Sequence, residues 1–355
     1  MKSYNQIYGD LSVGAGSWMD NRLFEQNIKS PFSNLVIKSF KKQISKDLKR
    51  IKILHKIKKM SVMDVGSGRQ AAAFMKLGAR SVDHYDISAY NIRKIKKHFK
   101  NKKKFFSKLG DICKKNFNKN KKYDFIYLQG IIHHTKYPSK ALQNISEACN
   151  QNGIVWLYHY QPTSLNYLYA ITLRKIFKKK NLGYLNRKLI ILNYNKKKIN
   201  FLMDDLGCDY IHFLKPQYYK KIMESLGFKQ FYKKDVEDLD KGIKFNNMGA
   251  CLTAYKKIGK YKKKIFISEK KIDVFDLKNY KKKIKKQVAI IKTFDKKIFK
   301  ILNNKKIKID EKINDLEPII KGFTVFEKKT SLTDIISVYK KTYQNLLIRN
   351  KKIEI

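Results

Sequence analysis

At 355 residues, with 43% hydrophobic content, 21 Phe and 22 Tyr, the chain can build one full-sized α/β domain plus a smaller second one, which excludes a disordered polycation. The formal charge of +51 draws attention to polyanions, but only eight of the 80 basic residues are Arg, the side chain suited to bidentate phosphate or base recognition, so a compositional lysine bias is the favoured reading. Four dispersed cysteines, without a Cys-x-x-Cys pair or clustered histidines, speak against a zinc site and a disulfide framework, and no metal is expected.

In chain order, residues 1–34 are irregular and rich in Gly, Ser and aromatics, and they read as a lid or docking segment in which Tyr4, Tyr8 and Trp18 either close over a ligand or pack in a core. They lack a basic stretch followed by an apolar one, so a cytoplasmic location is expected. From Asn34 to Lys59, Ile37, Phe40, Ile44, Leu48, Ile51 and Leu54 recur at helical spacing and predict an amphipathic helix that packs on the core.

Short apolar runs then alternate with helical patterns. Strands are expected at Ser61–Val65, Ser81–Asp86, Lys104–Leu109, Tyr123–Leu128, Gly153–Tyr158, Phe228–Tyr232 and Ala250–Tyr255, with helices over Gln70–Leu77, Ala89–Phe99, Ser139–Cys149 and Pro216–Leu226. The fold class is therefore α/β, a seven-stranded, mostly parallel sheet with an N-terminal helical segment and a C-terminal helical appendage. The uncharged run Ala148–Leu173 contains too many polar groups, among them Asn150, Gln151, Asn152, His159 and Gln161, to cross a bilayer.

The domain reading is 1–59 as lid and helix, 60–258 as the α/β domain with a cap insertion at 161–215, and 259–355 as a Lys-rich helical appendage. In the appendage, Leu277, Tyr280, Ile284, Val288, Ile291, Phe294, Ile298 and Ile301 mark one long helix, and Ser331 caps another running to about Ile348.

The sharpest local signal is Val62-Met63-Asp64-Val65-Gly66-Ser67-Gly68-Arg69-Gln70, a buried strand that enters a glycine turn and then a helix. Glycines there let backbone approach a ligand. The turn also satisfies the dinucleotide fingerprint through Gly66, Gly68 and Ala71, with Asp86 downstream, so two cofactors compete for one loop. Asp64 favours a cationic ligand without phosphate, since a carboxylate before the turn meets an ammonium but repels a pyrophosphate. Asp86, at the end of the second strand, suits ribose hydroxyls in both readings. Asp111, after the third strand, can accept from an adenine amino group.

Together, Asp64-Val-Gly-Ser-Gly, Tyr85-Asp86-Ile87-Ser88, Gly110-Asp111-Ile112 and the run Tyr123-Asp124-Phe125-Ile126-Tyr127-Leu128-Gln129-Gly130-Ile131-Ile132-His133-His134-Thr135-Lys136-Tyr137-Pro138 resemble the class I S-adenosylmethionine-dependent methyltransferases, of the small-molecule type. The resemblance covers roughly residues 60–256. It implies a Rossmann-like methyltransferase fold and S-adenosyl-L-methionine as cofactor. By it, Gly66 and Gly68 pass the methionine moiety near Asp64, Asp86 holds the ribose with Ile87 in the same cofactor-binding set, Asp111 and Ile112 frame the adenine, and Gln129 lines the methionine end. One departure is that Gln70 stands where the family carries a third glycine, after the bulky Arg69, which makes the loop less open.

Methyl transfer asks the protein to align the acceptor and, for a hydroxyl or ammonium, to take a proton. His133 and His134 follow the fourth strand at the sheet's carboxyl edge and lead as catalytic candidates, with His134 ahead and a backbone-bonding role in the turn as the alternative. Tyr158 and His159 end the fifth strand and complete the catalytic set, although alternation turns about half of such residues into the core. A block from Asp204 and Asp205 to His212 resembles an acceptor-side insertion, or is a plain surface loop.

The cap insertion carries Leu165, Leu168, Tyr169, Thr172 and Ile176 on one helical face, followed by basic residues. Packing on the domain is the favoured reading, and peripheral membrane contact stays open. The expected function is methyl transfer to oxygen or nitrogen of a small molecule, such as a sugar or glycan precursor. RNA methylation and a catalytically silent scaffold are the alternatives. A small-molecule acceptor is the expected partner, nucleic acid is not favoured, and the oligomeric state is left open.

Overall fold

The computed structural model describes residues 34–100, 102–115, 117–118, 120–160, 166–177, 182–193, 202, 205–206, 208, 210–235, 250–259, 282–303, 313–324 and 331–354. Tyr4, Tyr8, Trp18, Leu165, Asp204, Leu277 and Tyr280 lie outside them. The chain divides into two compact units, which are taken separately.

The first unit is built on a seven-stranded sheet. Its strands are β1 Ser61–Val65, β2 Ser81–Asp86, β3 Phe105–Leu109, β4 Tyr123–Gln129, β5 Cys149–Tyr160, β6 Phe228–Asp235 and β7 Ala250–Lys257, in the spatial order β3-β2-β1-β4-β5-β7-β6. Neighbours from β3 to β5 run parallel, and β7 pairs antiparallel with both β5 and β6. This is the Rossmann-like, mostly parallel sheet expected from the sequence. Its order reverses between β1 and β4, the place where open α/β sheets leave a crevice beyond the carboxyl ends of the strands.

Helices cover both faces, as parallel strands require. On one face α1 (Asn34–Arg50), α2 (Arg69–Lys76) and α3 (Ala89–His98) share a core in which Phe40, Ile44, Leu48, Phe74 and Ile95 meet Val62, Phe125, Tyr127 and Trp156. On the other, α4 (Pro138–Ala148) and α7 (Pro216–Ser225) bring Leu142, Ile145, Ile222 and Met223 against Met63, Ile126, Val155 and Leu157. Alternation assigns the strand residues to these faces: Trp156 and Tyr127 go with one core, Val155, Leu157 and Ile126 with the other. α1 is tied further by Asp47, which accepts from the Tyr127 hydroxyl at 3.1 Å and from Arg50 at 2.9 Å.

The strands and helices match the periodicity closely, with two exceptions: the helix expected over Asn34–Lys59 ends at Arg50, where the chain turns through Lys52 at φ +57° and resumes as a 3-10 helix over Leu54–Lys59, and the fifth strand begins early. β5 starts at Cys149, four residues before Gly153, because Tyr123 pairs with Cys149 while Phe125 pairs with Ile154. The intervening residues form a bulge in which Asn152 takes φ +63° and Asn150 donates to Asp124 at 2.7 Å. A helical pattern running to Cys149 could not foresee it.

The second unit's described helices are α5 (Asn166–Ile176), α6 (Leu182–Ile191), α8 (Lys282–Leu302), α9 (Glu317–Thr324) and α10 (Leu332–Glu354). Insertion and tail share one core there. Thr172 donates to Asp295 at 2.7 Å and lies 2.7 Å from the Tyr339 hydroxyl. Tyr169 stacks on Tyr339 with centroids 5.7 Å apart, and a Cβ on Gly322 would come within 2.9 Å of the Tyr169 ring. Tyr169 and Thr172, from the apolar face read in the sequence, are thus buried against tail helices, not presented to a membrane. Ser331 and Asp334 cap α10 reciprocally: the Ser331 N–H donates to the Asp334 carboxylate at 2.7 Å and the Asp334 N–H to Ser331 Oγ at 3.2 Å. Among the described residues no helix is long and apolar enough to cross a membrane, and no cluster of His, Cys, Asp or Glu could hold a metal ion.

Candidate functional site

Three glycines stitch the carboxyl ends of the strands into one edge. Gly66 N–H donates to the Tyr85 carbonyl at 2.9 Å, Gly110 N–H to the Asp86 carbonyl at 2.9 Å, and Gly130 N–H to the Tyr158 carbonyl at 3.3 Å. The ends of β1, β2 and β3, and those of β4 and β5, therefore stay in register with the turns that follow them. In the first turn both glycines are required: Gly66 has φ +125° and Gly68 φ +78°, where L side chains are strained. A Cβ at Gly66 would meet Ile131 Cδ1 at 2.9 Å, and one at Gly68 would meet Ile95 Cδ1 at 2.3 Å.

Asp64 lies beneath this turn, 1% exposed. Its Oδ2 accepts from the Ala71 N–H at 3.0 Å, and its Oδ1 is buried with no hydrogen-bond partner. Burial pushes its carboxyl up to about 7, against the Ala71 bond and the Arg69 charge that lower it. Asp86 is also buried and pushed up to about 6 by desolvation, while its oxygens accept from the Ser88 N–H and the Asn91 amide, both at 2.8 Å. Those bonds fix the carboxylate at the mouth of α3, and each oxygen keeps a second lone pair. Ile87 beside it is 72% exposed, an apolar side chain left open at the strand end. Asp111 is partly exposed and accepts from the Cys113 N–H at 2.8 Å. Ile112, by contrast, is buried, its carbonyl bound by Asn144 at 2.6 Å.

Gln129 receives the Trp156 indole N–H on Oε1 at 3.0 Å. Since indole only donates, the oxygen must face Trp156, and the amide N–H groups point the other way.

Arg69, the first residue of α2, is buried. Its Nε donates to Ser67 Oγ at 3.0 Å and its guanidinium lies 4.9 Å from the Phe40 ring centroid, so α1 closes this side of the turn. The sequence reading also passed over His84, in the interior of β2 below both glycines. Its only sequence signal is a titratable residue inside an apolar strand.

At the other end of the edge, the catalytic candidates separate by depth. His133 has no exposed surface and stacks on Tyr160 with centroids 3.5 Å apart. Desolvation, followed by His134, His159 and His212, holds its imidazole well below the usual range, so it is neutral. His134 is partly exposed, and its Nδ1 lies 3.2 Å from the Tyr210 carbonyl. A carbonyl only accepts, so in the neutral ring Nδ1 carries the hydrogen and Nε2 the lone pair. Tyr158 is partly exposed on the Tyr160 side, whereas His159 turns to the opposite face and packs on Tyr219 with centroids 4.1 Å apart. Alternation along β5 is the reason.

A second bond completes a clasp. His212 Nε2 is 2.9 Å from the Thr135 carbonyl, and the His212 N–H donates to the His133 carbonyl at 2.8 Å. The turn after β4 and the segment before α7 thereby hold each other. Phe213 stacks beyond Tyr160 at 6.1 Å. Asp205, from the same sequence block as His212, falls in the second unit, buried, where its carbonyl accepts from Arg174.

A family model described as a methyltransferase domain matches residues 38–231. Among solved structures the chain is similar to the N-methyltransferase NodS from Bradyrhizobium japonicum WM9 in complex with S-adenosyl-L-homocysteine, at 10% identity over 72% of this chain and 98% of that chain, with a TM-score of 0.41. It is similar to the PH0226 protein from Pyrococcus horikoshii OT3 at 17% identity over 61% and 90%, TM-score 0.40. With the CurJ carbon methyltransferase it shares 14% identity over 56% of this chain, TM-score 0.37, and spans 49% of that chain, about half its length. No curated protein sequence matches it.

Proposed function

The chain belongs to the methyltransferase-domain family, and from that premise we propose that it moves a methyl group from S-adenosylmethionine to an oxygen or nitrogen of a small molecule, such as a sugar or glycan precursor. The observation that carries the donor end is the Asp64 carboxylate under a two-glycine turn, with one buried oxygen lacking a partner.

The residues present fit this donor. An unpartnered buried carboxylate oxygen suits an ammonium, and a turn built on two glycines at positive φ leaves backbone without side-chain cover for a ligand to approach. In this reading Asp64, Gly66 and Gly68 hold the methionine end, Gln129 turns amide donors toward it, Asp86 binds the ribose, and Ile87 with Asp111 flanks the adenine. When bound, the donor supplies a methyl group already activated on a positively charged sulfur.

The chain's remaining tasks are alignment and proton removal. Nε2 of His134 takes the acceptor's proton, while the Tyr210 carbonyl holds the ring in the tautomer that leaves this nitrogen basic. Tyr158 orients the acceptor beside it, and the buried ring of His133 on Tyr160 backs His134 with centroids 4.2 Å apart.

Calorimetric titration with S-adenosylmethionine tests the donor: micromolar-range binding is expected, abolished in Asp86→Ala, and absence of heat for the native chain removes the reading. Labelled donor incubated with a metabolite extract and with RNA tests the acceptor. Label in a small molecule supports the assignment, label in RNA transfers it to nucleic acid, and no label with intact binding favours a silent scaffold.

A further inference from the structure

His84 has no exposed surface and pairs across the sheet with Asp64. Its Nε2 lies 2.5 Å from the Gly66 carbonyl oxygen and its Nδ1 lies 2.9 Å from Ser107 Oγ. The carbonyl only accepts, so Nε2 carries the hydrogen; the neutral ring's Nδ1 then accepts from the Ser107 hydroxyl. Burial pulls this imidazole down to about 4, which keeps it neutral at physiological pH. The same ring also lies under the second glycine, since a Cβ on Gly68 would be 3.3 Å from its Cε1 and Nε2. One imidazole thus meets both glycines of the turn, and Ser107 on the edge strand β3 holds it in the donating tautomer.

Covalent geometry makes that bond directional. In a trans peptide the carbonyl oxygen and the next N–H point to opposite sides, so drawing the Gly66 oxygen into the interior turns the Ser67 N–H the other way. The orientation of this peptide is set by ψ of Gly66 and φ of Ser67, and glycine, having no Cβ, limits its ψ less than any other residue does. The His84 bond gives that peptide an anchor from outside the turn.

We propose that His84 is a positioning residue of the donor site: its Nε2–H holds the Gly66 carbonyl inward, stops the Gly66–Ser67 peptide from flipping, and so keeps the Ser67 N–H turned toward the donor. The inference rests on the donor reading above, and the test separates the two. S-adenosylhomocysteine is titrated calorimetrically into the full-length native chain, His84→Gln, His84→Leu and Ser107→Ala, with thermal midpoints measured alongside.

Glutamine retains an N–H donor at similar reach and leucine removes it, so His84→Gln should bind within about threefold of the native chain and His84→Leu about tenfold more weakly. Ser107→Ala frees the ring to change tautomer and should weaken binding about threefold. A folded His84→Leu that binds within twofold of the native chain overturns the inference, as does an equal loss in the Gln and Leu variants that merely follows their thermal midpoints. If His84→Leu does not fold, Ser107→Ala decides: weakened binding supports the anchor and unchanged binding overturns it. Failure of the native chain to bind removes the donor reading itself, and this inference with it.

Discussion

The Asp64 carboxylate bridges the glycine turn to the backbone N–H of Ala71, at 3.0 Å, through one oxygen, and its other oxygen is buried without a partner. The chain therefore buries a titratable group that its own atoms only half satisfy, and this costs folding free energy.

Replacing Asp64 should separate the two effects. Its folded pKa of about 7 lies above the 3.8 of an ordinary aspartate, so the unfolded chain gives up the proton first and stability from this group is lost as pH rises between those values. Asp64→Asn keeps an acceptor for Ala71 and removes the charge. The variant should be more stable than its parent at pH 8, by an amount on the order of a few kcal/mol, while donor binding falls at least about tenfold. Urea midpoints and calorimetry measure both; a destabilised variant contradicts the account.

The neutral His84 has the opposite pH signature. Its folded pKa of about 4 lies below the ordinary 6.5, so its contribution is complete above the ordinary value and is lost as pH falls toward 4. The stability difference between the native chain and His84→Gln should accordingly shrink from pH 7 to pH 4. A difference that stays constant over that range means the ring is not buried as a neutral group.

Gly68→Ala is expected to fail on two counts, the φ of +78° and a Cβ 2.3 Å from Ile95 Cδ1. A loss of roughly 1–3 kcal/mol in stability is expected, with donor binding lost as well. An unchanged denaturation midpoint would show that α3 yields to the new methyl group.

His134→Ala should leave S-adenosylhomocysteine affinity unaltered and reduce label transfer to the acceptor by about a hundredfold or more. Equal loss of binding and transfer would assign the ring a structural part in the clasp with Tyr210.

Salt distinguishes the acceptor classes. Between roughly 50 and 200 mM salt, KM for a small molecule should change little, whereas binding that rests on many phosphate contacts falls about a thousandfold. A steep slope would give the +51 charge a selected role.

Much of the strand, glycine turn and helix at Asp64 was legible in sequence because its determinants are local. A strand of period two, a glycine turn and a helix of period 3.6 occupy consecutive positions from Val62 onward, and Asp64, Asp86 and Asp111 each stand at a strand end. The histidine and tyrosine candidates were legible only as a set of residues. Which of them stays partly exposed follows from contacts no window contains: His134 meets Tyr210 across 76 residues, and His159 is turned away by the parity of β5.

The sequence by itself determined the sheet, its helices and the glycine turn, since periodicity and glycine placement act within a few residues. Tertiary structure alone decided that His84 anchors Gly66 across 18 residues, that His133 is interior while His134 is not, and that the insertion packs on the tail through Thr172 and Tyr339, 167 residues apart. The physical reason is that burial and hydrogen-bond partnership belong to pairs of surfaces brought together by folding, and no single segment specifies them.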